Sequence, residues 1–170
     1  EQLFDSRDKN LADVGMTFFN SEALSLNPKI SCKTCRLKEF SSADGIPNAV
    51  GVGAKGHGQK RLESGGKFIP RNTLPLWGIG GLGFNTLFWD GKVDFSNEAR
   101  ISQFGDNTPS DDPLVVAVHL PAIEIGEMLV DDKMVKKHKK ETAKDGLEVY
   151  KLMTSKLKDN EKNAIDQLSK

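Results

Sequence analysis

Two cysteines close together in the sequence are the groups best suited to chemistry. Cys32 and Cys35 form the pattern Cys-Lys-Thr-Cys, and the residue that follows is Arg36. The same pattern followed by histidine attaches c-type haem through two thioethers, and that histidine binds the iron. A guanidinium stays protonated in proteins and offers no lone pair to a metal. Three interpretations therefore stay open: covalent haem with another axial ligand, a local disulfide, or a redox dithiol. The dithiol interpretation needs a thioredoxin-like strand-helix-strand pattern around the cysteines, which this sequence lacks.

The histidines are the candidate axial ligands for a bound haem. His57 lies in the segment AKGHG, where flanking glycines let an imidazole approach a metal closely, so it is the preferred ligand. His119 lies among apolar residues in VAVHLPA, which is typical of a core histidine. His138, within KKHKK, is expected to face solvent.

Size and charge limit the classes of protein that this chain can represent. Its 170 residues are enough for one ordinary domain with a buried core. Lys and Arg total 24 and Asp and Glu total 24, so a nucleic-acid partner is not expected. No apolar run approaches the roughly 20 residues that span a bilayer, which predicts a soluble protein. The N-terminal sequence EQLFDSRDKN has no basic region followed by an apolar one, so we expect any export signal to have been removed or never to have existed.

The periodicity of apolar residues predicts mainly helices around an irregular middle. Helical spacing runs from Leu11 to Phe19, and Ser96 could cap a helix over 96–104. From Glu127 onward apolar faces predict further helices. Between these helices, residues 41–91 are rich in glycine and carry no long helical period. Loops of that length in a compact domain are usually functional.

Five short elements stand in the order in which one family carries them. They are GMTFFNSEALSLNPKISCKTC, GHGQK with PRNTLPLWG, LFWDGK, NEA and EIGEM. Together they resemble the bacterial di-haem cytochrome c peroxidases and their MauG-type relatives. The resemblance implies a mainly α, cytochrome c-like first haem domain at 1–130 with a long glycine-rich loop region. It also implies a helical C-terminal extension at 131–170, similar to the segment that joins the family's two haem domains.

The resemblance assigns roles to the residues around the haem. Cys32 and Cys35 match the thioether positions of the first, peroxide-reacting haem, and His57 matches the distal histidine that ligates its iron in the resting state. Arg36 stands where the family has the proximal histidine. It could instead pair with a haem propionate and raise the reduction potential, or it could be an ordinary surface arginine.

The resemblance also assigns residues to catalysis and to calcium. Glu127 matches the distal glutamate that acts on bound peroxide, Trp89 the tryptophan that relays electrons between the haems, and Glu98 falls near a family glutamine. Asn72 matches an asparagine that helps to hold calcium. On the residues alone, a helix N-terminal acid is the preferred interpretation of Glu127, and a core or loop anchor that of Trp89. Asn72 could equally be a turn residue.

The same resemblance leads to the expected function. No Cys-x-x-Cys follows Cys35, so the family's second haem site is missing from this sequence. The expected activity is haem-based redox chemistry in the periplasm, either peroxide reduction or partner oxidation. Its electrons would pass through a second haem protein or a separately encoded second half. The alternative is a haem-less member that serves as a structural or binding subunit and carries a Cys32–Cys35 disulfide.

Overall fold

The computed structural model describes residues 9–25, 30–79, 83–124 and 126–128, together with Ser155, Lys162 and Asp166. The predicted extension at 131–170 lies outside the described residues except for those three positions. Helices predominate over strands in the described part, in agreement with a largely helical, cytochrome-like domain. The cofactor-wrapping role of the glycine-rich loops stays a prediction, as does the division into 1–130 and 131–170. Among the described residues, no helix is both long enough and apolar enough to cross a membrane.

The described residues of the first half carry three α-helices separated by turns. Helix α1 spans Lys9–Asn20 and ends where the Asn20 side-chain amide donates to the Met16 carbonyl at 2.7 Å. The short helix α2, Cys32–Cys35, carries both cysteines, and α3 spans Gln59–Glu63. Turns of 3-10 helix at Glu22–Leu24 and Lys38–Phe40 lie before and after α2.

The second half builds a small core from a hairpin and two helices. Strands β1, Thr86–Leu87, and β2, Val93–Asp94, pair antiparallel. Helix α4, Pro113–Ala117, begins after Asp112, whose carboxylate accepts from the Leu114 N–H at 2.8 Å, and α5 spans Leu120–Ile123. The shared core cluster consists of Leu87, Val93, Phe104, Val116, Ala117 and Leu120.

The helix predicted over 96–104 is wrong. Asp94 Oδ1 accepts hydrogen bonds from the backbone N–H and hydroxyl of Ser96, at 3.0 and 2.6 Å, and from the Thr86 hydroxyl at 2.8 Å. Asp94 also pairs with Ile101 as an antiparallel bridge. These local bonds give the backbone an alternative to helix, which is the usual effect of Ser and Asp outside a cap.

An extended loop pair connects the two halves. Residues 49–52 run antiparallel to 67–71, with the Gly51 N–H donating to the Lys67 carbonyl and the Lys67 N–H to the Val52 carbonyl, both at 2.8 Å. The Val52 N–H donates outward to the Gly126 carbonyl at 2.8 Å. Gly51 lies so close to Gly126 that a Cβ on Gly51 would stand 1.7 Å from the Gly126 carbonyl oxygen. Only glycine fits at this contact.

Replacing Gly51 with alanine should lower the free energy of unfolding by about 1–3 kcal/mol, because the added methyl forces two backbones apart. Gly15→Ala is the matched control, since Gly15 lies in α1 and a Cβ there meets nothing within 4 Å. That control should keep or slightly raise stability, because alanine favours helix over glycine. Urea unfolding of both variants measures the effect. Equal midpoints for Gly51→Ala and the native chain would contradict the close approach.

Candidate functional site

The turn at 126–128 is held beside the start of α2. Met128 is buried with Ile30 and Ala122, and its carbonyl accepts a hydrogen bond from the Ser25 hydroxyl at 2.6 Å. Ile30 comes directly before Ser31, the residue that precedes α2. This packing brings Glu127 next to the cysteine helix, although they are far apart in the sequence.

Both cysteines of α2 are free thiols and half-buried. The Ser31 N–H donates to the Thr34 hydroxyl at 2.9 Å, which closes the helical turn that carries them. Burial raises the pKa of Cys32, and the nearby Arg36 guanidinium opposes the rise. Burial also raises the pKa of Cys35. Both side chains are therefore protonated thiols at neutral pH.

Four charged groups surround Cys35 and come from three parts of the chain. The Arg61 guanidinium lowers the pKa of Cys35, Asp44 and Glu127 raise it, and Arg36 lowers it. Sequence reasoning missed Arg61 and Asp44, each only 2% exposed. A buried charge has no local pattern in the sequence, since its burial follows from tertiary packing.

Arg36 is a half-buried cation that bonds to backbone. Its Nη1 donates to the Leu74 carbonyl, in the PRNTLPLW segment. Burial lowers the pKa of Arg36, and the neighbouring cysteines, Glu127 and Asp44 oppose that change. The interpretation of Arg36 as an ordinary surface arginine is therefore wrong. The propionate interpretation stays a prediction.

Asp44 makes a second link to the same segment. Its Oδ2 accepts from the Thr73 hydroxyl at 2.9 Å, and its Oδ1 from the Ile46 N–H at 3.4 Å. Together with the bond from Arg36 to Leu74, this link fixes the PRNTLPLW segment against the residues that follow α2. The segment thus has a structural place beside the cysteines.

Glu127 is the titratable group best suited to acid-base chemistry near neutral pH. Burial is the main cause that raises its pKa from 4.5 to about 7, and the Glu124 carboxylate adds to the rise. Lys92 and Arg36 act in the opposite direction. A carboxyl that titrates near neutrality can both donate and accept a proton under ordinary conditions.

His57 lies in an exposed loop directly before α3. It is exposed and lines an open pocket of about 580 Å³ together with Glu39, Phe40, Gly56, Gly58, Gln59 and Lys60. Cys32, Cys35 and Glu127 do not line that pocket. His57 and the cysteines therefore do not share this pocket, and the role of His57 as an iron ligand stays a prediction.

The other predicted site residues lie on the surface. Trp89 is 79% exposed, with the Arg71 guanidinium carbon 5.4 Å from its ring centroid, so it is no core anchor. Asn72 and Glu98 are exposed. Among the described residues, no group of three or more His, Cys, Asp or Glu side chains is placed to hold a metal ion, and the calcium prediction has no support. The catalytic roles of Trp89 and Glu98 stay predictions.

His119 is a packed histidine, as its apolar context predicts. Its Nδ1 lies 2.7 Å from the Val115 carbonyl oxygen, and its ring meets the edge of Phe104 at 5.9 Å between centroids. Burial lowers its pKa, which keeps the imidazole neutral.

The cysteine helix fits covalent haem attachment in part. Two free thiols on one helical turn, both reachable from the surface, are the groups that form thioethers. The position after Cys35 does not supply an axial nitrogen, because Arg36 has no lone pair for iron and donates to Leu74.

The stability of the chain should fall as pH rises through 7, and Glu127 is the cause. Its pKa of about 7 in the folded protein lies above its ordinary 4.5, so folding favours the protonated form. This contribution to the free energy of unfolding is fully present below about pH 4.5. It is lost as the pH rises through about 7, and the loss is up to about 3 kcal/mol. Glu127→Gln stays neutral, so its unfolding free energy relative to the native chain should rise between pH 5 and pH 8. Parallel pH profiles in urea would contradict the shift.

The chain was compared with known proteins. No curated protein and no solved structure matches it. A protein-family model described as di-haem cytochrome c peroxidase matches residues 9–167. The match includes the cysteine helix, the His57 loop and the Glu127 turn, and it spans most of the 170 residues. The chain therefore belongs to the di-haem cytochrome c peroxidase family, whose members are haem proteins of the peroxidase type.

Proposed function

We propose that the chain is a haem-based redox domain that reduces peroxide or oxidises a partner, with haem attached through Cys32 and Cys35. One observation carries the proposal. The fold brings Glu127, with a pKa of about 7, beside Cys35 and Arg36, where the family's peroxide chemistry needs a proton-transferring group.

Glu127 would act as the acid-base group on peroxide. A haem bound through Cys32 and Cys35 would supply redox-active iron for peroxide reduction. Conversion of hydrogen peroxide into two waters takes two electrons and two protons, and one proton must move from one oxygen to the other. The Glu127 carboxylate would accept that proton, and its protonated form would return it to the departing oxygen. A pKa near neutrality suits both steps.

The axial ligand and the electron route are proposed from the resemblance. His57 would bind iron or stand on the distal side, and the glycines beside it would allow its exposed loop to approach the cysteine helix. Trp89 would pass electrons, and its large exposure suits a residue at a protein–protein contact. Glu98 would take the place of the family's glutamine.

The partners and the location are also proposals. A second haem protein or a separately encoded second half would donate electrons, because this chain has one Cys-x-x-Cys. Covalent haem attachment of this kind suits an exported, periplasmic protein. The small-molecule substrate would be a peroxide.

A second candidate function rests on Arg36. Its guanidinium bonds to the Leu74 carbonyl at the position where the resemblance implies an axial histidine. With no ligand there, Cys32 and Cys35 could instead close a disulfide, and the chain would serve as a haem-less structural or binding subunit.

Denatured, purified protein should retain haem in a haem-staining gel, because thioether bonds survive denaturation. Its mass should exceed the apo-polypeptide by one haem. Native protein that shows no haem stain and has the apo mass less two hydrogens would overturn the haem proposal in favour of the disulfide. A Cys32→Ser, Cys35→Ser variant is the control, since it should lose the stain.

Glu127→Gln should slow peroxide reduction about 10²- to 10⁴-fold in the haem-loaded protein assayed with a haem electron donor, since it removes the proton-transferring group. Glu124→Gln is the matched control. It removes a carboxylate three residues away and should keep activity, with the pH optimum moved lower because the like charge that raises the pKa of Glu127 is gone. Equal rates for native and Glu127→Gln protein would remove Glu127 from catalysis.

A further inference from the structure

Arg61 is a charged side chain buried for a reason that haem attachment does not explain. It is 2% exposed, and its acceptors are backbone carbonyls. Nε donates to Val50 at 2.7 Å, Nη2 to Gly51 at 2.8 Å and Nη1 to Ala54 at 3.4 Å. Burying a cation is costly unless its donors are satisfied, and charge-assisted bonds of this kind offset the cost. The forked guanidinium of Arg61 therefore clamps the loop at 50–54 in one backbone conformation.

The clamped loop is the surface on which the Glu127 turn rests. Val52 lies within this loop, next to Gly51, whose carbonyl Arg61 binds. The Val52 N–H donates to the Gly126 carbonyl at 2.8 Å. Gly51 meets the same carbonyl at a distance that excludes any side chain. Glu127 follows directly. A shift of the loop by the width of a methyl group would thus displace the turn.

We propose that Arg61 is a positioning residue, whose guanidinium holds the loop at 50–54 against Gly126 and thereby holds the Glu127 carboxyl beside the cysteine helix. This inference deepens the proposed function and rests on it for the role of Glu127. It assigns to α3 a part in the acid-base site that none of the sequence motifs indicates.

An effect of Arg61 on the position of Glu127 can be distinguished from an effect of the Arg61 charge, because the two change the pKa of Glu127 in opposite directions. Glu124 raises the pKa of Glu127, Lys92 and Arg36 lower it, and Cys35 faces the same carboxyl. The charge of Arg61 acts on Cys35. If Arg61 worked on Glu127 through its charge, removing that charge would raise the pKa of Glu127, whereas a turn released into solvent lowers that pKa.

Two variants test the proposal through the pKa of Glu127, measured by carbon-13 NMR titration of the side-chain carboxyl. Arg61→Lys keeps the charge and loses the fork, and Arg61→Met loses both. We expect the pKa to fall from about 7 toward the ordinary 4.5 in both variants. Lys60→Met is the matched control, since Lys60 is an exposed residue of the same helix and should leave the pKa unchanged.

Three results would overturn the proposal. They are an unchanged pKa in folded Arg61→Lys, a raised pKa in Arg61→Met, and a Val52 amide that exchanges with solvent unprotected in the native chain. The exchange measurement needs no variant, so an unprotected Val52 amide overturns the proposal even if the substituted chains fail to fold. The titration does not use activity, so a chain without haem would defeat the proposed function while leaving this test intact.

Discussion

The approach of two glycines, Gly51 and Gly126, is the constraint on which the arrangement of this site depends. Their backbones meet where no Cβ could stand, and the Val52 N–H donates to the Gly126 carbonyl. Met128 attaches the same turn a second time, since its side chain is buried beside Ile30 and its carbonyl accepts from the Ser25 hydroxyl. The contact turns a residue far along the chain into a neighbour of the cysteine helix.

Local chemistry of the chain made some features predictable. Ser31 and Thr34 close the turn around the cysteines, and His119 among apolar residues packs against Phe104, as its context indicates. Other features depend on long-range contacts and leave no local pattern. The burial of Arg61 follows from the carbonyls of a loop. The absence of the helix at 96–104 has a local cause instead, since the Asp94 carboxylate accepts from Ser96 two residues away. The resemblance predicted Glu127 as a site residue, whereas the charged groups around it are seen only in the fold.

The electrostatic balance of the cluster explains why a carboxyl here titrates near neutral pH. Burial and the like charge of Glu124 raise the pKa of Glu127 to about 7. Lys92 and Arg36 are the cations that oppose this rise, as opposite charges near a carboxyl do, and burial outweighs them. The charge of Arg61 acts on Cys35 instead, and its donors are engaged with the carbonyls of its loop.

Arg36, directly after Cys35, has a structural role and is not a metal ligand. A half-buried guanidinium needs acceptors, and the Leu74 carbonyl supplies one from the segment that Thr73 also ties to Asp44. Removing it would leave a carbonyl unsatisfied and the segment held from one side only. The arginine is thus part of the framework around the cysteines. The position after Cys35 contributes to the shape and charge of the site and offers no lone pair to a metal.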